Sequence, residues 1–477
     1  MASRRSRATL DCYRLLAYVV VLAGFAIRLH GLTFQSLWRD EVDSLRFATS
    51  GVVTSLAQPA WNGPLYTLML GRWIAATGRS ELALRYSSLL AGVLVLPLLL
   101  CLGKRLLGAR ASVSAAALAA FSPYLVWYSQ ELKMYALLSL LGLASFVALR
   151  AALARGHAWR WALYAMVTSL IPYVHILGVF LIPAEIVAVA LGWRIHRDRL
   201  RPFAATLATM TLPYVPLAIW QARLLLTAFH TGHPYYPLPP MLASLAHVWT
   251  SGVIAGPKWW QLAPFALALL AATVPNQGKS PGARPFLVSW MLLPLALVHV
   301  VSLRSPVFTD RYLIASLPAF LLLTAAGVES LLHRWLPLGS AFLALLLLLG
   351  AYGIARQSQH SLKADARGAA SLIRQGWLNG DAIVLQIPYL SYSLDYYLGP
   401  GYPCNEAPYT NDGMTEGEVS LYLRSRLVGK GRAWLLLSEA EMWDARGLTA
   451  AWFRGNTRLL QEWHLARVDL YLYELPW

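Results

Sequence analysis

Long runs of apolar residues, separated by short polar stretches, dominate the first three quarters of the chain. The runs cover residues 13–32, 82–102, 111–127, 134–152, 161–175, 176–192, 203–221, 259–275, 286–303, 312–331 and 338–354. Most are close to the roughly 20 residues that an α-helix needs to cross a bilayer. The pattern predicts about eleven transmembrane helices. Within 161–192, one broken span would invert the orientation of everything downstream.

The polar stretches between these runs predict the orientation in the membrane. If the N-terminus is cytoplasmic, the cytoplasmic connections are GKRLLGAR, LRAALARGHAWR, WRIHRDRLR, NQGKSPGARP and HRW, and each is basic. Cytoplasmic loops generally carry such an excess of Lys and Arg. The first run is as long as a spanning helix and lacks a small-residue cleavage site, which disfavours a cleaved signal peptide. We therefore predict a cytoplasmic N-terminus and, with an odd number of spans, an extracytoplasmic C-terminal region.

The pattern changes after about residue 356. DAIVLQIP and GRAWLLLSE are typical of buried strands, ADARGAASLIRQGW and EAEMWDARGLTAAWF of helices, and LLQEWHLARVDLYLYEL of a final strand pair. We predict a small α/β domain over 356–477, after a transmembrane domain over 1–355 whose first extracytoplasmic loop spans 33–80. The prolines and aromatics of 222–258 predict an ordered loop along the membrane surface.

Composition supports the membrane class and disfavours nucleic-acid binding. The chain is 57% hydrophobic and 13% charged, with a mean hydropathy of +0.49, which is too apolar for an ordinary soluble protein of this length. Its net charge of +17 is divided among short clusters between apolar runs, so membrane orientation explains it better than a nucleic-acid partner. The three cysteines have no metal-ligand spacing.

Acidic residues cluster at one place in the predicted first loop. The stretch FQSLWRDEVDSLRF contains Asp40, Glu41 and Asp43 within four positions, although the whole chain has only 23 Asp and Glu residues. Such a concentration at the end of an apolar run is a candidate for chemistry. The simpler alternative is a helix start, where the macrodipole favours acidic residues.

Other polar residues are predicted to lie on the same side of the membrane. They occur in FSPYLVWYSQELKMYAL, IPYVHILG and RSPVFTDRYL, and comprise Glu131, Lys133, Tyr135, His175, Arg304, Asp310, Arg311 and Tyr312. Because charges near membrane depth are costly, their convergence predicts a polar cavity for an anionic, lipid-linked substrate. The alternatives are a solvated turn for Glu131 and Lys133, a headgroup anchor for Arg311 and a helix-end histidine for His175.

Together, the motifs LWRDEVDSL, NGPLYTLML, YSQELKMYAL, YVHILG and RYLIASLP resemble those of the C-type membrane glycosyltransferases. The resemblance is to the bacterial branch similar to protein O-mannosyltransferases and aminoarabinose transferases. It implies an α-helical polytopic membrane protein of the bacterial inner membrane. The implied activity is inverting transfer of a sugar from a polyprenyl-phosphate donor to a lipid, glycan or protein acceptor on the extracytoplasmic face.

The resemblance also implies roles for individual residues. Asp40 is the expected general base, while Glu41, about 100° away around a helix, would orient the acceptor or pair with a basic group. Lys133, Arg311 and His175 would bind the donor phosphate. The expected substrate contacts are Glu131, Tyr135, Asn62, Tyr66 and Tyr312.

Two features restrict what the resemblance can supply. Aminoarabinose-type relatives tend to have Lys-Pro-Pro where this chain has Asn62-Gly63-Pro64, so the identity of the donor sugar is not carried over. The carboxylates and His175 permit a divalent metal ion, but no spacing identifies a metal site.

Two other classes of protein remain open at this stage. A flippase or transporter of a lipid-linked saccharide would need a similar cavity, but the chain shows no duplicated halves of the kind common in transporters. A membrane scaffold that presents the C-terminal domain would leave the clustered acidic and basic residues unexplained. Membrane lipids are the expected surroundings in every case, and no residue pattern indicates an oligomeric state.

Overall fold

The computed structural model describes residues 2–57, 60, 62–226, 234–254, 258–274, 282–408 and 410–476. The chain forms two compact units. We call Met1–Leu32 with Phe47–Gln357 the helical unit, and Thr33–Arg46 with Ser358–Trp477 the α/β unit. The α/β unit thus combines the C-terminal part of the chain with the acidic segment of the predicted first loop.

Helices build the first 359 residues. They are α1 (Ala2–Leu29), α2 (Arg39–Thr49), α3 (Val52–Ala57), α4 (Pro64–Thr77), α5 (Glu81–Leu107), α6 (Ala109–Ala120), α7 (Pro123–Ser129), α8 (Tyr135–Arg155), α9 (Ala158–Val174), α10 (Leu181–Leu191), α11 (Trp193–His196), α12 (Leu200–Leu226), α13 (Leu238–Ser251), α14 (Trp259–Thr273), α15 (Ala283–Ser302), α16 (Leu317–Arg334) and α17 (Leu336–Gln359). Short 3₁₀ helices occupy Ile176–Phe180, Arg197–Arg199 and Asp310–Ser316.

Seven helical segments among the described residues are long and apolar enough to cross a membrane. They are Asp11–Leu29, Glu81–Leu107, Tyr135–Arg155, Trp193–Ala222, Ala283–Ser302, Asp310–Arg334 and Leu336–Gln359. An eighth would be α6 with α7, which are bent by 59° at their junction. This confirms the predicted class, an α-helical polytopic membrane protein with a small C-terminal α/β domain.

The predicted number of eleven spans is too high. Ile176–Leu191 and Trp259–Thr273 are apolar but short, and α9 has only 17 residues. At 1.5 Å per residue these helices fall below the roughly 30 Å of a bilayer core. The apolar run over 161–192 is divided because His175 is extended, with φ −155° and ψ 128°. The sequence analysis placed a boundary between two runs at this point, but the helices on either side are too short to span.

The segment over 222–258 is more helical than predicted. Helix α12 continues to Leu226, and α13 covers Leu238–Ser251, while 227–233 and 255–257 lie outside the described residues. The prolines of YYPLPP do not exclude a helix here because they precede it or fall in its first turn, where a missing N–H costs little. In 50–80, the predicted short helices are α3 and α4; Pro59 and Trp61 lie outside the described residues.

The α/β unit has a five-stranded sheet in the order β2-β1-β3-β5-β4. Its elements after α17 are α18 (Ala366–Gly376), β1 (Ala382–Leu385), α19 (Leu390–Leu398), β2 (Cys404–Glu406), α20 (Glu416–Leu427), β3 (Arg432–Leu437), α21 (Ala440–Trp443), α22 (Leu448–Asn456), β4 (Arg458–Leu465) and β5 (Val468–Glu474). Strand β1 is parallel to β2 and β3, whereas β5 is antiparallel to β3 and β4. Strands β1 and β3 are apolar because each faces a buried cluster on both sides.

Within this unit, one sequence prediction needs correction and three elements were not predicted. EAEMWDARGLTAAWF forms two helices, α21 and α22, because the Asp444 carboxylate accepts hydrogen bonds from the Leu448 and Thr449 N–H groups and so caps α22. The sequence analysis also did not predict α19, β2 or α20. The start of α20 carries a capping box formed by Thr415 and Glu418, which is visible in the sequence as T-x-x-E.

Candidate functional site

The acidic stretch of the first loop forms the start of α2, and its two adjacent carboxylates have different surroundings. Glu41 is fully buried, and its Oε2 lies 2.8 Å from the Nζ of Lys363, which is itself only 5% exposed. Asp40 is half-buried. Neighbouring helical residues point about 100° apart, so only one of the pair faces the ion-pair partner. The Glu41 charge is therefore held in a structural ion pair.

Asp43 has a more ordinary environment on the same helix. Its carboxylate lies 3.7 Å from Arg39 and 3.9 Å from Arg46, at the usual helical spacings of four and three residues. Such partly exposed pairs contribute little to stability. The three acidic residues of the stretch thus differ in burial and in partners, and Asp40 remains the predicted base.

In the helical unit, Glu131 and Lys133 lie between α7 and α8 and are both buried, with 2% and 8% exposure. The Lys133 N–H donates to the Glu131 carbonyl at 2.8 Å, and the Ser88 hydroxyl of α5 donates to the Lys133 carbonyl at 3.3 Å. These bonds fix the turn against the helical core. An exposed, solvated turn is therefore wrong for this pair.

His175 lies where α9 ends and is 1% exposed. Its Nδ1 accepts a hydrogen bond from the Leu177 N–H at 3.3 Å, while its buried Nε2 has no hydrogen-bond partner among the described residues. The ring centroid lies 4.5 Å from that of Tyr312. His175 thus caps the start of the 3₁₀ helix Ile176–Phe180 through one nitrogen and leaves the other available for a ligand.

Arg311 is the third basic side chain in this part of the helical unit, after Lys133 and His175. Its guanidinium carbon lies 5.6 Å from the Tyr135 ring centroid and 5.9 Å from that of Tyr312, within cation–π distance. His175 and Arg311 thus both lie against the Tyr312 ring, and Lys133 precedes Tyr135 by two residues. We call Lys133, His175 and Arg311 the cation cluster. The structure brings these three predicted donor-binding residues together, along with Tyr135 and Tyr312.

A row of tyrosines continues from the cation cluster to an acidic residue. The Tyr135 ring contacts Tyr128 at 5.1 Å between centroids, and Tyr128 contacts Tyr124 at 4.8 Å. The Tyr124 hydroxyl donates to Asp310 Oδ2 at 3.0 Å. The sequence analysis placed Asp310 among the polar groups on this side without giving it a role. It did not select Tyr124, since an aromatic residue at the end of an apolar run is usually an interface residue.

Asn62 is fixed beside His175 by backbone contacts. The two residues form an isolated antiparallel β-bridge, and the Gly63 N–H donates to the Val174 carbonyl at 3.1 Å. A Cβ atom at position 63 would lie 2.0 Å from the Tyr173 carbonyl oxygen, so only glycine fits this approach. Tyr66, another predicted substrate contact, is buried one turn further along α4.

An apolar groove begins next to this bridge. Its volume is about 550 Å³, and its lining residues are Leu56, Pro64, Leu65, Leu68, Ala165, Met166, Ser169, Leu170, Tyr173, Thr209, Met210 and Pro213. Pro64 and Tyr173 are each two residues from the bridged Asn62 and His175. The lining offers hydrocarbon contacts with few hydrogen-bonding groups. We call it the α4–α9–α12 groove.

The described part of the chain contains no group of three or more His, Cys, Asp or Glu side chains arranged to hold a metal ion. Asp40 and Glu41 belong to the α/β unit, whereas the cation cluster, Asn62 and Tyr66 belong to the helical unit. The residue roles expected from the sequence stay predictions.

No family model matches the chain, and no curated protein matches it in sequence. Solved structures do match. ArnT from Cupriavidus metallidurans in the apo state has a TM-score of 0.62 at 13% identity, covering 98% of each chain. ArnT bound to undecaprenyl phosphate has a TM-score of 0.60 at 12% identity, covering 95% of this chain and 97% of that one.

An oligosaccharyltransferase from Archaeoglobus fulgidus, in complex with Zn and sulfate, has a TM-score of 0.54 at 12% identity and covers 96% of this chain and 72% of that one. ArnT and this oligosaccharyltransferase share the fold of the C-type (GT-C) membrane glycosyltransferases. The present chain has the fold of the C-type membrane glycosyltransferases over nearly its whole length.

Proposed function

We propose that the protein is an inverting glycosyltransferase. It moves a sugar from a polyprenyl-phosphate donor to an acceptor hydroxyl on the extracytoplasmic face of a bacterial inner membrane. The observation that carries this proposal is the cation cluster, in which His175 and Arg311 both lie against the Tyr312 ring and Lys133 is buried in the turn just before Tyr135. Buried cationic groups need a balancing negative charge, and a phosphate on a lipid would bring one to this place.

A phosphate ester of a lipid meets the requirements of both the cluster and the groove beside it. Arg311 suits the phosphate because its planar guanidinium can donate two parallel hydrogen bonds. Lys133 adds a compact positive charge, and the His175 Nε2 is available for one more hydrogen bond. The α4–α9–α12 groove offers hydrocarbon contacts of the kind that a polyprenyl chain needs. Solved ArnT has been observed with undecaprenyl phosphate, which supports this class of ligand.

The chemical step needs one base and stabilisation of one leaving group. The acceptor oxygen attacks the anomeric carbon, the bond from that carbon to the phosphate oxygen breaks, and the configuration inverts. Asp40 takes the proton from the acceptor hydroxyl. The departing lipid phosphate is already a weak base, so it needs no proton, and the cation cluster stabilises its growing negative charge.

The experiment that tests this proposal compares purified wild type with Asp40→Asn. Transfer of labelled sugar from polyprenyl-phosphate sugars to a bacterial membrane extract is measured with and without EDTA, which also tests dependence on a divalent metal. We expect Asp40→Asn to lower kcat by about 10²–10⁴-fold, because the base is lost and the side-chain shape is kept.

Asp43→Asn is the matched control, since Asp43 lies on the same helix and its ion pairs with Arg39 and Arg46 are partly exposed. It should retain transfer close to the wild-type rate. Equal activity of wild type and Asp40→Asn would contradict the assignment of the base. Movement of the labelled lipid across proteoliposomes without formation of a new glycosidic bond would favour the transporter class instead.

A further inference from the structure

The α/β unit holds the acidic first-loop segment through several independent contacts. Gln35 is central among them, since its amide NH₂ donates to the His360 carbonyl at 2.8 Å. Its amide oxygen accepts from the N–H groups of Leu362 at 2.9 Å and Lys363 at 3.3 Å. One side chain of the segment therefore fixes three backbone positions within the four residues that follow α17.

The Lys363 side chain extends from this hydrogen-bonded backbone to the first turn of α2. Its Nζ lies 2.8 Å from Glu41 Oε2 and 5.6 Å from the Trp38 ring centroid. Lys363 and Glu41 are 5% and 0% exposed. A buried ion pair is a costly arrangement that stabilises only modestly overall, but removing one partner leaves a buried charge. The pair therefore restricts the rotation of α2 more strongly than it stabilises the fold.

Aromatic residues of α19 and the turn before it hold the exposed side of the same helix. The Arg39 guanidinium lies 3.9 Å from the Tyr389 ring centroid, and that of Arg46 lies 3.4 Å from Tyr392. These are close cation–π contacts. One of these contacts is at the first residue of α2 and the other is two turns further along. Together with the Glu41–Lys363 ion pair, they hold α2 at three points.

Tyr397 fixes the residues immediately before the helix. Its hydroxyl accepts a hydrogen bond from the Leu37 N–H at 2.7 Å. The Arg367 N–H donates to the Ser36 hydroxyl at 3.1 Å, and the Arg367 guanidinium donates to the Thr33 carbonyl at 2.9 Å. The approach to α2 and its first turn are thus both determined by residues of the C-terminal part of the chain.

We propose that Lys363 is a positioning residue for the Asp40 carboxylate, acting through its buried ion pair with Glu41. This inference rests on the proposed function, in which Asp40 is the base. Asp40 precedes Glu41 on the same helix, so fixing the direction of Glu41 fixes that of Asp40 about 100° away. The C-terminal domain then has a catalytic purpose, since it aims the base of a segment more than 300 residues earlier in the chain.

The test combines transfer kinetics with hydrogen exchange on the full-length protein in detergent. Lys363→Met keeps the length of the side chain but removes its charge. We expect faster amide exchange in peptides covering 34–46 and a fall in kcat on the order of 100-fold, because a small misplacement of a catalytic group is costly. KM for the polyprenyl-phosphate donor should remain within about threefold of wild type, since donor binding is assigned to other residues.

Rescue variants separate positioning from general damage. Lys363→Arg keeps the charge and should retain most of the activity and protection. The double variant Glu41→Gln with Lys363→Met removes both charges, so no charge is left buried alone. Its loss of kcat should not exceed that of Lys363→Met, which is the non-additivity expected of residues that act through one contact.

Arg432→Met supplies the matched control in the same unit. Arg432 pairs with the buried Asp381 at 2.7 Å and donates to the Gly376 carbonyl, and among the described residues it has no hydrogen bond or ion pair with the first-loop segment. Its loss should increase exchange in β1 and β3, with protection of 34–46 unchanged.

Two results would overturn the inference. One is unchanged kcat and unchanged exchange of 34–46 in Lys363→Met, and the other is a loss in Lys363→Arg as large as in Lys363→Met. If wild type shows no transfer at all, the proposed function fails. Hydrogen exchange then still decides whether Lys363 holds the segment, so the two failures are distinguishable.

Discussion

At the scale of single residues, burial separates acidic side chains that the sequence presents as equivalent. Asp40, Glu41 and Asp43 stand within four positions, yet Glu41 is fully buried against Lys363 while Asp43 forms partly exposed pairs. The sequence predicted the cluster and offered a basic partner as one of two roles for Glu41, the other being orientation of the acceptor. It did not identify Lys363, because nothing local to a lysine marks a partner 322 positions away.

Arg311 provides a test of the cation cluster at this scale. Arg311→Gln should raise KM for the donor by about 10–100-fold, because a charged hydrogen bond to phosphate contributes about 1.5–3 kcal/mol. Arg304→Gln is the control: Arg304 is exposed and seven residues earlier, so the change should leave KM nearly unaltered. Initial rates over a range of donor concentrations decide between them. Equal effects of the two substitutions would mean that net charge, and not the cluster, governs donor binding.

At the scale of elements, apolar runs predicted where helices lie, but not which of these helices are long enough to cross the membrane. Each of the eleven runs contains helix, but His175 interrupts 161–192 and Phe121–Ser122 separates α6 from α7. Hydropathy reports the environment of a segment, whereas a bend depends on caps and backbone contacts. In the α/β unit, strands β1 and β3 were predictable from continuous apolar runs, while the three-residue β2 has no such signal.

Gly63 tests the joint between α4 and α9. Gly63→Ala would place a methyl group 2.0 Å from the Tyr173 carbonyl oxygen, and backbone atoms on both sides leave no cheap way to relieve the overlap. We expect a loss of stability of about 1–3 kcal/mol and reduced transfer, because Asn62 would move from His175. Gly455→Ala, with open space around the new Cβ, is the control. Thermal unfolding and transfer rates should change in the first variant only; an unaffected Gly63→Ala protein would contradict this packing.

At the scale of the whole molecule, acid should weaken the α/β unit through one buried carboxylate, Asp381. Burial tends to raise the pKa of the Asp381 carboxyl, but hydrogen bonds from Arg432, the Leu378 N–H and the Trp434 indole together hold that pKa below its usual value. Because the pKa of Asp381 is lower in the folded than in the unfolded protein, its charged form stabilises the fold at any pH above the ordinary carboxyl pKa. This contribution to the free energy of unfolding is lost as the pH falls to the lowered pKa of the folded protein.

The expected result is an acid-dependent opening of β1 and β3 that Asp381→Asn abolishes. At neutral pH this variant should lose about 3 kcal/mol, because Arg432 keeps a charge without its ionic partner. Asp469→Asn, which removes only an exposed pair with His464, should behave like wild type. Hydrogen exchange of the full-length protein between pH 7 and pH 3 provides the measurement. An acid transition that persists unchanged in Asp381→Asn would assign it to other carboxylates.

The α4–α9–α12 groove should make donor binding depend on the length of the donor's polyprenyl chain. If the polyprenyl chain occupies it, Ser169→Trp should fill part of the volume of about 550 Å³ and weaken binding in proportion to the methylenes displaced, at about 0.8 kcal/mol each. KM should rise at least tenfold for a long polyprenyl donor and change little for a donor with a ten-carbon chain. Leu163→Trp, on the same helix but outside the lining, should affect neither donor. An equal rise for both donors would place the hydrocarbon chain elsewhere and attribute the effect to distortion of α9 near His175.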